Sequence, residues 1–233
     1  MSPIFKHRLP QVIPLKVFLT WATKELPEPL KSRIAKFKHL NPEFEYHLYD
    51  DDECRSFIQK HFSKNVLNTY DTLIPDAYKA DLWRCCILYI YGGIYMDIKL
   101  TPVDNFKLID LTYKEHFVKD RPPNSIYNAF MVCKPRNILI KHTISGIIKN
   151  VTSKFYGKCP LEPTGPILMG KLAKKLGVTC ELSHLNSGGF IMYNNKKIIS
   201  LGFPEYDKIR KRVYASKKTA RYNILWENKK IYR

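Results

Sequence analysis

The sequence predicts an α/β fold: a single domain with a mainly parallel central sheet flanked by helices. Three observations lead there. Short apolar runs of strand character alternate with longer runs of helical periodicity along most of the chain. At 233 residues the chain suits one core, because single cores grow to about 250 residues before chains tend to divide. A hydrophobic content of 45% and an aromatic content of 13% are enough to fill that core, which argues against disorder despite the high charge.

Residues 15–20 read as a short buried strand, and Pro27 and Pro29 open a helix over 30–40, since proline costs little in a first turn. Asn41 and Pro42 break it. Residues 44–49 alternate as a second strand, and Asp50 caps a helix whose apolar positions are Cys54, Phe57, Ile58 and Phe62. Asp76 is a cap for a helix over 77–91, which Gly92 and Gly93 end, and 94–100 return as a strand. A strand at 130–133, a helix at 138–151 and a helix at 166–176 follow. Asn194-Asn195 joins 189–193 to 196–201 as a hairpin. The segment from about 203 to 233 reads as basic, aromatic and irregular. There is no internal repeat and no low-complexity linker, so 1–233 are taken as one domain.

Residues 1–10 never reach the apolar run of about 7 to 15 residues that a signal peptide needs. The longest apolar run, 85–91, is far below the roughly 18 residues of a membrane-spanning helix. Cys54, Cys85, Cys86, Cys133, Cys159 and Cys180 form no C-x-x-C pair and have no histidine at zinc-finger spacing. They read as thiols of a reducing compartment, so a cytoplasmic protein is expected. The chain carries 39 Lys and Arg against 21 Asp and Glu, a net charge of +18. That field attracts phosphates, acidic polymers or anionic lipid headgroups. Residues 191–233 hold 12 Lys and Arg against Glu205, Asp207 and Glu227, so half of the excess lies at the C-terminal end.

The chemistry concentrates between Ala80 and Lys99. Asp81 and Arg84 are three apart on a helix and share a face with Cys85 and Leu88. A carboxylate and a guanidinium among apolar neighbours must pair or bind something polar. The helix runs through Gly92-Gly93 into Tyr95-Met96-Asp97-Ile98-Lys99, where strand alternation puts Tyr95, Asp97 and Lys99 on one face. Polar residues facing one way at the carboxyl end of a strand belong to a sheet edge or a ligand crevice.

These residues resemble the motif of the DXD-containing glycosyltransferases, a family that includes yeast initiating mannosyltransferases, capsular-sugar transferases and, more distantly, clostridial glucosylating toxins. The family pattern is Asp-x-x-Arg followed by Gly-Gly-x-Tyr-x-Asp-x-Asp. Here Asp81, Arg84, Gly92, Gly93, Tyr95 and Asp97 match it, and Lys99 stands where the second aspartate belongs. The resemblance extends to Ile13-Pro14, Thr20-Trp21, Asn41-Pro42-Glu43-Phe44-Glu45-Tyr46, Glu162-Pro163-Thr164-Gly165-Pro166, Tyr222 and Trp226. In its downstream half the wording is most similar to copies from large DNA viruses, which would place the protein in host cytoplasm or virion.

The resemblance implies a GT-A (Rossmann-like) domain that transfers a hexose from a UDP- or GDP-sugar to a glycan or other acceptor, with retention at the anomeric carbon. By the same resemblance Asp81 and Arg84 hold the donor sugar and diphosphate, Tyr95 packs against the donor, and Asp97 holds Mn²⁺ or Mg²⁺ or the ribose. Trp21 resembles the aromatic that stacks on the base. Tyr222 and Trp226 suit either packing or a loop that closes over the phosphates.

Lys99 opens two readings of the metal. In one, Lys99 and Arg221 offset the diphosphate charge and metal dependence is weakened. In the other, Asp97 and a second ligand such as His184 or Asn186 still hold the ion. Two other functions compete with transfer: a sugar-nucleotide-binding pseudoenzyme, motivated by Lys99, and a nucleic-acid module, motivated by charge. No RNP, helix-turn-helix or zinc-finger signature supports the latter, so no nucleic-acid partner is expected. The basic end also suits peripheral contact with an anionic membrane.

Overall fold

The computed structural model describes residues 10–184 and 189–233. Strand β1 (Lys16–Thr20) leads to α1 (Glu28–Leu40), β2 (Glu45–Tyr49), α2 (Asp51–His61), α3 (Lys64–Thr72) and α4 (Asp76–Tyr91). Next come β3 (Gly93–Met96), β4 (Thr101–Pro102), β5 (His116–Lys119), β6 (Ile126–Cys133), α5 (Ile138–Thr152) and α6 (Pro166–Lys175). The chain ends with β7 (Leu182–His184), β8 (Phe190–Tyr193), β9 (Lys196–Ser200), α7 (Tyr206–Ser216) and α8 (Tyr222–Glu227).

Local chemistry accounts for several boundaries. Pro29 lies in the first turn of α1, where its missing N–H costs nothing. Asp50 and Glu53 form a capping box on α2: Glu53 N donates to Asp50 Oδ1 at 2.9 Å and Asp50 N to Glu53 Oε2 at 3.1 Å. Gly92 and Gly93 take φ of 62° and 96°. A Cβ would come within 2.6 Å of Pro135 at the first and of the Lys16 carbonyl oxygen at the second. Only glycine lets the chain turn there from α4 into a central strand. Asn194 and Asn195, both at positive φ, form the two-residue turn of the β8–β9 hairpin.

Among the described residues one sheet of nine strands runs in the order β2-β1-β3-β6-β5-β7-β8-β9-β4. The sheet is mixed, which corrects the expected mainly parallel one. Only β1–β2, β1–β3 and β5–β7 pair in parallel, while the pairings of β6, β8 and β9 are antiparallel. The reason lies in β4, β5 and β7, strands of 2, 4 and 3 residues. They are too short to carry a visible alternation, and the short link from β5 to β6 allows only an antiparallel return.

The central strands are buried on both faces, and successive side chains enter different cores. Phe18, Tyr95, Met131 and Cys133 join the core beneath α2 to α6, whereas Val17, Leu19, Ile94, Met96, Phe130 and Val132 join the core on the α1 and α7 side. Helix α4 is buried nearly all round, from Leu82 to Leu88. Cys85 and Cys86 are core residues there, and all six cysteines are free. None of the described helices is long and apolar enough to cross a membrane.

Three further expectations are corrected. The strand over 94–100 stops at Met96, and Leu100 N donates to the Asp97 carbonyl at 3.0 Å to make a turn. Asp76 is not the cap of α4 but its first residue, with Pro75 in the capping position and no capping hydrogen bond, and its carboxylate accepts from Lys217 at 2.9 Å. The basic C-terminal segment contains two helices, α7 and α8, and is not irregular.

Candidate functional site

A cleft of about 390 Å³ opens beyond the carboxyl ends of β1 and β3. Its floor comes from α4, β3 and β6, and its far wall from α7 and the start of α8. Trp21, Asp81, Arg84, Tyr95, Asp97 and Lys99 all line it, and so does Arg221. Seven residues that are scattered over two hundred positions of sequence therefore face one space.

Asp81 and Arg84 are buried on the α4 face turned toward β3 and β6. Asp81 Oδ1 accepts from Asn128 Nδ2 at 2.9 Å, and Oδ2 accepts from Thr164 Oγ1 at 2.8 Å. Arg84 Nη2 lies 3.5 Å from Asp81 Oδ1. Burial pushes the Asp81 carboxyl above the ordinary carboxylate range, while Arg84, Thr164 and Asn128 pull it back. Arg84 directs Nε to the Ala80 carbonyl at 3.1 Å and Nη1 to the Asn128 carbonyl at 2.9 Å, and stacks 4.6 Å from the Tyr95 ring centroid. Its fork is thus held by the protein itself, with Nη2 left beside Asp81 and the cleft.

Asp97 lies at the carboxyl end of β3. Its Oδ1 accepts from Tyr95 Oη at 2.8 Å and sits 3.6 Å from Arg84 Nη1. Oδ2 is 3.6 Å from Lys99 Nζ. Lys99 reaches the cleft from the turn after β3 and not from a strand face, and its ammonium lies 5.9 Å from the Tyr206 ring centroid. Asp81, Asp97, Arg84 and Lys99 together carry no net charge. With aspartate at 99, as in the family pattern, the same set would carry two negative charges, which a divalent cation would neutralise.

The donor chemistry fits a metal poorly. Asp97 is already flanked by Tyr95, Arg84 and Lys99, and among the described residues no group of three His, Cys, Asp or Glu could hold an ion. Asn186 lies outside the described residues, as does the side chain of His184, whose backbone ends β7. Trp226 does not line the cleft: its Nε1 donates to the Tyr156 carbonyl at 2.6 Å, and its ring packs on the α4 core.

Sequence reasoning gave several residues here no role, although it quoted Thr164 within the stretch of resemblance. Asn128 and Thr164 bind Asp81, and Tyr206, Arg210 and Lys217 of the C-terminal segment form the far wall. Asn128 had a readable signal, a buried amide in the otherwise apolar run of β6. Lys217 links the wall to the floor through hydrogen bonds to Asp51 and Asp76, the first residues of α2 and α4. Nothing in the sequence announces a contact between residues that far apart.

Residues 27–118 match the family described as the glycosyltransferase sugar-binding region containing DXD motif, and Asp81, Arg84, Tyr95 and Asp97 lie inside the matched stretch. Curated relatives agree. Inositol phosphoceramide mannosyltransferase 2 of Schizosaccharomyces pombe is 30% identical over 70% of this chain and 47% of its own length. Inositol phosphoceramide mannosyltransferase 3 of the same yeast is 34% identical over 51% of this chain and 33% of its own length. An uncharacterized glycosyltransferase of Acanthamoeba polyphaga mimivirus is 32% identical over 33% of this chain and 31% of its own. The chain spans less than half the length of these relatives. Among solved structures, the PaToxG glycosyltransferase superposes with a TM-score of 0.58 at 17% identity, covering 72% of this chain and 70% of that one. The fold is that of a GT-A glycosyltransferase domain, here with a mixed sheet.

Proposed function

We propose that this chain transfers a hexosyl group, mannose foremost, from a nucleoside-diphosphate sugar to an acceptor, and that Lys99 does in the cleft what a divalent cation does in relatives with two aspartates. The observation that carries this reading is the Asp97–Lys99 pair at 3.6 Å, which leaves the donor end of the cleft electrically balanced without a metal. The leaving group is a nucleoside diphosphate, so the enzyme has to stabilise developing negative charge and exclude water from the glycosyl centre. Lys99, Arg221 and Arg210 face the cleft as the cations for that task. Asp81 accepts from sugar hydroxyls, Arg84 holds the sugar side with Nη2, and Trp21 stacks on the base. Retention at the anomeric carbon belongs to this reading, and we assign it no nucleophile.

For the acceptor, the curated relatives are named for inositol phosphoceramide, a lipid whose headgroup carries an anionic phosphate. A net charge of +18 suits an acceptor of that class, presented at a membrane surface. The test is transfer or donor hydrolysis with GDP-mannose and UDP-glucose, in EDTA and in added Mn²⁺. Activity should persist in EDTA, and Lys99→Asp should make it depend on Mn²⁺. Complete loss of wild-type activity in EDTA would refute the metal-free mechanism.

A further inference from the structure

Asp81 is held by three partners and at the same time lines the cleft. Oδ1 is taken by Asn128 and faced by Arg84, and Oδ2 receives the Thr164 hydroxyl. The next residue after Thr164 is Gly165, which lines the cleft and precedes the first turn of α6. A Cβ on Gly165 would stand 3.0 Å from Asp81 Oδ2 and 3.5 Å from the Leu161 carbonyl oxygen. That separation is tighter than ordinary carbon–oxygen contact, so something must give. Asp81 cannot move aside, because three partners from α4, β6 and the 160–165 loop fix it. Gly165 does not sit at positive φ (φ −106°, ψ −142°); the space beside Oδ2 is what a side chain there would fill.

We propose that Gly165 is a specificity-determining residue: the missing side chain forms a port through which a hydroxyl of the transferred sugar reaches Asp81 Oδ2, with Thr164 and Asn128 as positioning residues. An ionised carboxylate only accepts hydrogen bonds, and its two oxygens offer about four sites. With Thr164 and Asn128 using two, the port is shaped for a group that donates, which a sugar hydroxyl does and a phosphate oxygen does not. The port therefore reads the sugar and leaves the nucleotide and diphosphate to Trp21, Lys99 and Arg221. This inference rests on the donor-site reading above.

The experiment compares dissociation constants for GDP-mannose, UDP-glucose, GDP and UDP in wild type, Gly165→Ala and Gly165→Ser, by calorimetry with thermal unfolding as a fold check. The serine variant fills the port while its hydroxyl can itself donate to Oδ2, so it keeps Asp81 satisfied if alanine disturbs the fold. Both variants should weaken whichever sugar nucleotide binds wild type by about tenfold or more and change its free diphosphate less than about twofold. Equal weakening of sugar nucleotide and diphosphate, or no change in either, overturns the port. Wild type that binds diphosphate but gains nothing from the sugar also overturns it. Wild type that binds none of the four probes refutes the donor site itself, and the port with it.

Discussion

Lys99 and Asp81 illustrate how single residues in the cleft divide the work. An ammonium at 99 beside Asp97 supplies one positive charge where the family pattern supplies a negative one, so the change in local charge is two units at a single position. That is the same size as the charge of a divalent cation. Asp81 poses the opposite problem, a buried carboxylate whose charged form is disfavoured by burial and favoured by Arg84 and by the hydrogen bonds of Thr164 and Asn128. Thr164 is one of the groups that hold its pKa down. Replacing it with valine keeps the shape and removes the donor, so the Asp81 pKa must rise further above the ordinary carboxylate range. If Asp81 accepts from the donor sugar as proposed, its ionised form is the stronger acceptor, and activity should fall as pH drops through that pKa. The acid limb of the pH–activity profile should therefore move to higher pH in Thr164→Val, as measured by initial rates at saturating donor. An acid limb that stays in place would show that Asp81 does not control it.

At the scale of elements, the helices that carry site residues start from identifiable chemistry. The reciprocal bonds of Asp50 and Glu53 at the start of α2 satisfy two backbone donors that would otherwise face water, and Asp50→Ala should cost about 1 kcal/mol. In a domain of this length that is about 2–4 °C in Tm, read by calorimetry. Donor binding should be nearly unchanged, since Asp50 does not line the cleft. Helix α4 has no such cap. Asp76 instead joins Asp51 in holding Lys217, so two helix starts secure the C-terminal helices against the cleft. Burial raises the pKa of Asp51, with Lys217 opposing it, and lowers that of Lys217 less than its two acidic partners raise it. The two aspartates and the lysine act as one unit, and their charge is spent on closing the far wall.

For the whole molecule, the excess of positive charge is a statement about partners and not about fold. If the acceptor is an anionic lipid headgroup, the protein should sediment with vesicles containing phosphatidylserine at low salt. It should release as ionic strength rises past about 0.1 M, where the Debye length falls to about 10 Å. Binding that is equally strong on neutral vesicles, or unaffected by salt, would remove the electrostatic basis for that acceptor class. The same global view explains the two cores. A sheet buried on both faces lets one strand such as β3 send Tyr95 toward Arg84 while Ile94 and Met96 support it from behind, so the site stands on a rigid layer.

The motif from Asp81 to Asp97, the breaks at Gly92-Gly93 and Asn194-Asn195, the Asp50 cap and the α/β class were all determined by the sequence alone, because each depends on neighbours within a few residues. The parallel or antiparallel sense of the sheet was not. Strands of two to four residues leave no periodic trace, and their partners are chosen by long-range packing. Nor did the sequence determine which far residues meet the motif. That Lys99 enters the cleft from a turn, that Trp226 packs against the core, that Asn128, Thr164 and Gly165 surround the buried pair and that Arg210 and Lys217 form the far wall are results of tertiary structure, where burial and charge compensation act between residues with no relation in sequence.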